Sequence, residues 1–525
     1  MFWRLAILAV GAGLLFGVDL ASIGAAVESM SKELQLDKKQ TEWVVSCAKG
    51  GAIFGSLFGG ALIMSRGRRT IIGCSAIPSM IGPALVFTAQ GLPQLIVGRF
   101  LMGIGIGLAS VATPNYLSEV VRPEQRGLFE AMYELGIASG MLLAALVNAL
   151  LQMLSSDAVW RYQAGCVPFV FAFPVLIVAC TVPESPRWML QTKGSSPSSL
   201  LAALQEISSL RRPGAEKRLE TWRSGRGSLE EELSSDTDTA EAAEDDLIRL
   251  WDDRHLQAGN PLYSAGSQLS QLEEKDDEPV RLRTLSILQR TLKDACAIIV
   301  GSKQVPAGAR RGLGLALAAA VLDQACASTS ILIYAQKMLA RVGIGQESQD
   351  MLTLLVVGAK MFGVILGLAI VERMSRRTLL GAGGSLSAVA LLILVLGAAW
   401  SSPVLLLSGM SSFIAIFYST WGIGYWIVVV EVTAVGGPRY ASAAQSVSTA
   451  TLFAAGWLTS LTFIDVISLG PPGLLIYVAV AVLMGIYGFC ILPETGGHSL
   501  EECAGDIGPP LTDDESESDA GSGSS

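Results

Sequence analysis

At 525 residues the chain is long enough for several soluble domains, but its composition excludes that reading. Only 16% of residues are charged, 51% are hydrophobic and mean hydropathy is +0.49, too little polar surface to cover a soluble protein of this size. The formal net charge of −9 gathers in polar appendages, and no nucleic-acid partner is expected.

A membrane-crossing helix needs about 20 largely apolar residues, and twelve segments qualify. Six lie at 5–27, 43–64, 70–89, 92–117, 127–154 and 160–182, and six at 312–338, 350–371, 378–400, 403–432, 440–466 and 472–492. The expected fold is an all-α membrane protein of twelve transmembrane helices in two six-helix halves, 1–182 and 312–492. The first segment starts near Met1 but lacks a small-residue cleavage site, so it reads as structure and not as a signal peptide. Between the halves, 183–311 forms a long loop with acid clusters such as Glu230-Glu231-Glu232 and Glu244-Asp245-Asp246. Residues 493–525 end in the acidic tail "DDESESDAGSGSS". Solvated, Ser-rich acidic stretches of this kind bury little, so partial disorder is expected, with the middle of the loop dispensable for the fold. Loop flanks near 183–212 and 281–300 look amphipathic.

Lys and Arg in short loops set orientation. Arg66, Arg68, Arg69, Arg122, Arg126, Arg373, Arg376, Arg377 and Arg439 fall on the side of the long loop, which places that loop and both termini in the cytoplasm. A plasma-membrane or endomembrane location fits equally.

The arginines belong to a repeated grammar. Arg68-Arg69 of "MSRGRRTIIG" is echoed 308 residues later by Arg376-Arg377 of "MSRRTLLGAG". Glu119 is echoed 312 residues later by Glu431, and Pro183-Glu184 310 residues later by Pro493-Glu494. A near-constant shift across three loops indicates two related halves, the construction of many secondary transporters.

Eight cysteines are scattered, mostly in or near spans, and the two histidines, His255 and His498, lie in polar regions. Neither a disulfide framework nor a metal site follows. With no nucleophile–base arrangement in the spans, neither an enzyme nor a cofactor is expected.

The stretch "GRFLMGIGIGLASVATPNYLSEVVRPEQRG" carries the small-residue stripe Gly103, Gly105 and Gly107, which lets helices approach closely, then Pro114, Glu119 and Arg126-Gly127. With "PESPR" at Pro183–Arg187 and "PETGGHSLEE" at Pro493–Glu502, the chain resembles the sugar porter family of the major facilitator superfamily across all twelve spans. The resemblance implies the major facilitator fold and alternating access, with the protein working as a monomer. It also implies a cytoplasmic gate of Arg68, Arg69, Glu119, Arg126 and Glu184 in one half, and Arg376, Arg377, Glu431, Arg439 and Glu494 in the other. Such pairs latch helix ends in one state and part in the other. The family's acid-Arg-x-Gly-Arg-Arg motif is kept as Glu372–Arg377, with Ser375 for glycine. In the first half Met64 and Ser65 replace its acid and arginine, so a latch weaker on the N-terminal side is expected.

An ionisable residue near the bilayer centre costs at least roughly 2.5–3.5 kcal/mol and needs a partner or a task. Asp19, Arg99, Glu134, Asp323 and Lys360 are such residues, and Lys49 is a sixth. The resemblance implies proton coupling at Asp19 and Arg99: the guanidinium holds the carboxylate ionised, and a proton releases the pair. For the substrate site it implies Gln324, Trp426, Thr329 and Tyr334, together with Glu134, Asp323 and Lys360 at positions where family amides have become charged. Those three charges either neutralise one another around a neutral sugar or polyol, or contact a charged or zwitterionic solute, or one or more of them face a water-filled vestibule with no ligand role. Lys360 reads as the counter-charge to Asp323. The function expected is a proton-coupled secondary transporter of sugars or related small polar solutes, and the alternative is a transporter-like solute sensor. Its partners are then a small polar solute, protons and the lipid bilayer.

Overall fold

The computed structural model describes residues 2–121, 123–152, 159–185, 307–434 and 437–495, together with positions 188, 293, 297 and 305. Most of the long loop and all but the first residues of the tail lie outside these, and with them the expectations for their disorder and amphipathic flanks.

Among the described residues twelve helices are long and apolar enough to cross a membrane. The first six are α1 Trp3–Glu33, α2 Lys38–Arg66, α3 Arg68–Phe87, α4 Leu92–Val120, α5 Gln125–Leu151 and α6 Val159–Thr181. The second six are α7 Gly308–Ile333, α8 Met351–Ile370, α9 Arg376–Ala399, α10 Pro403–Thr433, α11 Tyr440–Ser468 and α12 Pro471–Ile491. Their outer faces carry large apolar side chains, including Phe173, Ile177, Leu386, Val389 and Leu483, each more than 40% exposed. Apolar side chains in such number on the outside are stable against lipid, not against water. The chain is a multi-pass integral membrane protein.

Several helices overrun their apolar cores. α2 begins at Lys38, five residues before the hydrophobic run, because Asp37 caps it: its carboxylate accepts from Gln40 N at 2.6 Å while Gln40 Oε1 accepts from Asp37 N at 3.0 Å. Such a reciprocal box satisfies two amide donors that the helix leaves unpaired.

Glycines set how closely the helices pack. A Cβ on Gly103 would lie 1.9 Å from Ala48 O, and one on Gly107 2.3 Å from Ala52 O, so α4 meets α2 backbone to backbone. Gly105 points elsewhere, toward Ser79 and Ser75 of α3. Residues four apart share a helix face and residues two apart do not, so the stripe seats α4 between two neighbours.

α7 is interrupted. Its helix stops at Ala325, Ala327 takes a left-handed φ of 62°, and a second segment runs Ser328–Ile333. The break falls beside Asp323 and Gln324, where freed backbone groups are tolerable only within protein or a cavity.

Candidate functional site

Asp19 from α1 and Arg99 from α4 form a bidentate ion pair, both side chains almost fully buried. Arg99 Nη1 and Nη2 donate to the two carboxylate oxygens, and Nε donates to Val44 O of α2 at 3.4 Å. The planar guanidinium fork suits this geometry, and pairing is what makes two charges tolerable in an apolar bundle. The pair lines a cavity between the halves, together with Lys49 of α2, Phe453 and Ser460 of α11 and Ile333 of α7.

A second buried cluster lies where the halves meet at α5, α8 and α10. Lys360 Nζ sits 2.9 Å from Glu134 Oε1, and Trp426 Nε1 donates to Glu134 Oε2 at 3.2 Å. The Lys360 ammonium also lies 3.8 Å from the centroid of the Tyr418 ring, a favourable cation–π placement. The ion pair of Lys360 is thus with Glu134, and the expected pairing with Asp323 is replaced. Asp323 takes a hydrogen bond from Gln324 Nε2 at 2.8 Å, and Thr329 Oγ1 lies 3.5 Å from Gln324 Oε1. Asp323, Gln324 and Thr329 therefore flank the break in α7. Tyr334 is set apart from them at the end of that helix, stacked on Phe463 with ring centroids 5.5 Å apart. The Lys337 ammonium, just beyond the span, lies 5.3 Å from the centroid of the Tyr334 ring, and burial lowers its pKa.

The arginine-bearing ends repeat one arrangement twice. Arg68 Nη2 donates to Glu119 Oε1 at 2.7 Å, and Arg376 Nη2 approaches Glu431 Oε1 at 3.6 Å. The backbone amides of Arg68 and Arg69 donate to Glu184 at 2.9 and 3.0 Å, and those of Arg376 and Arg377 to Glu494 at 2.9 and 3.3 Å. Arg69 Nε then bonds Ala179 O, and Arg377 Nε bonds Phe489 O. Each carboxylate of Glu184 and Glu494 thus closes the start of a helix, where free amides favour an anion. Between α2 and α3, Gly67 has φ +93°, and a Cβ there would lie 2.3 Å from Glu184 Oε2; conformation and space both call for glycine.

The asymmetry between the halves differs from the one expected. Within its half, the Arg68–Glu119 pair is the shorter of the two. What the N-terminal half lacks is a carboxylate at the position matching Glu372: Glu372 Oε1 accepts from Leu128 N of α5 at 2.7 Å, whereas its counterpart Met64 offers only a sulfur, 3.5 Å from Ser442 Oγ. Met64 O instead accepts from Trp188 Nε1 at 2.8 Å. The halves also touch at the opposite ends of α2 and α11, where Lys38 lies 3.5 Å from Asp465. Arg126 is buried at the start of α5, and the side chain of Arg439 lies outside the described residues.

Three further participants were not singled out from the sequence. Ser185 Oγ donates to Glu119 Oε2 at 2.5 Å and Thr495 Oγ1 to Glu431 Oε2 at 2.6 Å. These hydroxyls are again 310 residues apart, an offset that would have identified them. Glu130, one turn after Arg126, is fully buried, and an acid four residues after an arginine in an apolar helix was the available signal.

The sequence matches the family described as "Sugar (and other) transporter" over residues 5–228 and 297–506. It is 25% identical over 501 residues to the probable metabolite transport protein CsbC of Bacillus subtilis (strain 168), covering 93% of this chain and 91% of that one. It is 35% identical over 181 residues to the galactose-proton symporter of Escherichia coli (strain K12), covering 34% of this chain and 38% of the relative. The solved structure of the proton:xylose symporter XylE bound to 6-bromo-6-deoxy-D-glucose superposes with a TM-score of 0.70 at 19% identity, over 95% of this chain and 98% of that one.

Proposed function

The chain belongs to the sugar (and other) transporter family, and from that premise we propose that it is a proton-coupled symporter of a neutral sugar or polyol, working by alternating access. The buried Asp19–Arg99 pair carries this reading. A carboxylate paired with a guanidinium and facing a cavity between the halves can take a proton, and taking it removes the attraction that ties α1 to α4. The galactose-proton symporter it resembles is named for the same coupling.

The Glu134–Lys360 contact favours a neutral solute over a charged one. Both charges are already spent on each other, on Trp426 and on the Tyr418 ring. A charged solute would have to displace a buried partner, a costly exchange. A neutral one needs only donors and acceptors, which Gln324, Thr329 and Asp323 supply, with the indole ring of Trp426 beside them as an apolar face. Tyr334 closes the end of the same helix. The matched groups around Glu119 with Glu184 and around Glu431 with Glu494 are the cytoplasmic gate, closing helix ends while the site is shut on that side. The polar loop and both termini lie in the cytoplasm, and the protein acts as a monomer.

The test is uptake into vesicles reconstituted with the protein, across a panel of neutral sugars, polyols and charged metabolites, with and without an imposed pH gradient. Accumulation of a neutral solute that depends on the gradient is expected. Uptake confined to charged solutes, or indifferent to the gradient, would refute the reading.

A further inference from the structure

Lys49 is a buried lysine in the middle of an apolar helix, and its contacts cross the boundary between the halves. From α2 its ammonium donates to Gly456 O at 2.9 Å and Ser460 Oγ at 2.5 Å, both on α11. Neither acceptor is charged, so nothing in this tether neutralises it. The same side chain lines the cavity of Asp19 and Arg99.

The charges around that cavity do not balance. Asp19, Arg99 and Lys49 are the ionisable side chains in its lining, and with Lys49 protonated they carry one net positive charge when Asp19 is ionised and two when it is protonated. The remaining neighbours do not offset this. Cys47 on α2 is a further titratable group near Asp19. α5 packs on this stretch of α1 with Ile137, Gly140 and Met141, and α6 with Val167. α7 and α11 contribute Ile333, Phe453 and Ser460.

We propose that Lys49 is a third coupling residue, an inter-half tether whose charge opposes proton occupancy of Asp19 while α2 and α11 are closed. The inference rests on the proton-coupled reading above. When α2 and α11 separate, the Lys49 ammonium meets water, its field at Asp19 is screened, and the carboxylate takes a proton more readily. On closing without solute, the protonated state holds two buried cations and is disfavoured, which suppresses a proton leak. With solute present, its oxygens supply acceptors for the donors that Arg99 regains. The tether also touches the solute side: a Cβ on Gly456 would lie 2.6 Å from Gln324 Oε1. The α11 turn that holds Lys49 therefore packs on a residue of the candidate solute site.

Lys49→Met and Lys49→Arg, compared with the parent in reconstituted vesicles, test this through the pH dependence of solute uptake and through proton entry without solute, read by a pH-sensitive dye inside. Loss of the charge in Lys49→Met is expected to move the half-maximal pH of uptake upward by about one unit, a tenfold gain in proton affinity, and to raise the solute-free leak. Lys49→Arg keeps the parental midpoint. Should Lys49→Met not reach the membrane, Lys49→Gln, which retains hydrogen-bonding to α11, carries the same expectation. An unmoved midpoint in the uncharged variant overturns the proposal, as does lower uptake in both variants at the parental midpoint, the mark of a merely structural tether. Absence of gradient-driven uptake in the parent would instead sink the proton-coupled reading itself.

Discussion

Glu134 and Lys360 meet at 2.9 Å across the boundary between the two halves, one from α5 and the other from α8. Pairing makes each of the two charges tolerable in the buried centre, and it fixes which single changes are tolerated.

Removing either partner leaves a buried charge alone, a loss of about 3–5 kcal/mol. Glu134→Gln and Lys360→Asn are each expected to lower thermal stability in detergent sharply. The double variant, with both charges gone, should recover most of that loss. A double variant as unstable as the two single losses combined would show that the groups do not interact.

Neutral solutes should still be carried by that double variant, with affinity changed modestly. Competition by neutral sugars against charged metabolites, in parent and variant, measures this. A switch in preference between the two classes would place the charges in contact with the solute and contradict the neutral-polyol reading.

The spans were legible because apolar runs of membrane length leave little else possible, and the latch acids because their offsets matched those of the arginines. The partner of Lys360 was not legible. Glu134 and Asp323 are both mid-span acids, and sequence separation carries no information about which lies closer once helices pack. Helix ends were blurred for a related reason: Asp37 extends α2 through polar residues by capping chemistry that hydropathy does not register. The directions of the α4 glycines followed from helical geometry, but which helix each would meet depended on tertiary packing.

Those glycines give a sharp contrast. Gly103→Val would place side-chain atoms where Ala48 O already lies 1.9 Å from a Cβ, whereas a Cβ on Gly50 meets nothing within 4 Å. Gly103→Val is expected to abolish folded protein in the membrane, and Gly50→Ala to leave its amount and thermal stability near parental. Size-exclusion profiles of detergent extracts distinguish the two, and equal behaviour would mean that α2 and α4 are not in backbone contact.

At the arginine-bearing ends, Glu119→Gln weakens the 2.7 Å contact with Arg68, and Glu431→Gln the longer 3.6 Å contact with Arg376. Both should reduce turnover while solute affinity changes little, since the groups lie away from the solute site. The N-terminal change should be the more severe, about tenfold for a loss near 1.4 kcal/mol. A fall in solute affinity without a fall in turnover would contradict the gate assignment.

The central claim is that Asp19 carries the coupled proton while Arg99 holds its carboxylate ready. Asp19→Asn keeps the size of the side chain and hydrogen-bonding to Arg99 but removes the titrating group. Solute accumulation in vesicles under an imposed pH gradient, measured beside equilibrium exchange in the same preparation, tests it most directly. The account predicts that gradient-driven accumulation disappears while exchange is partly retained, and accumulation that persists in Asp19→Asn would contradict it.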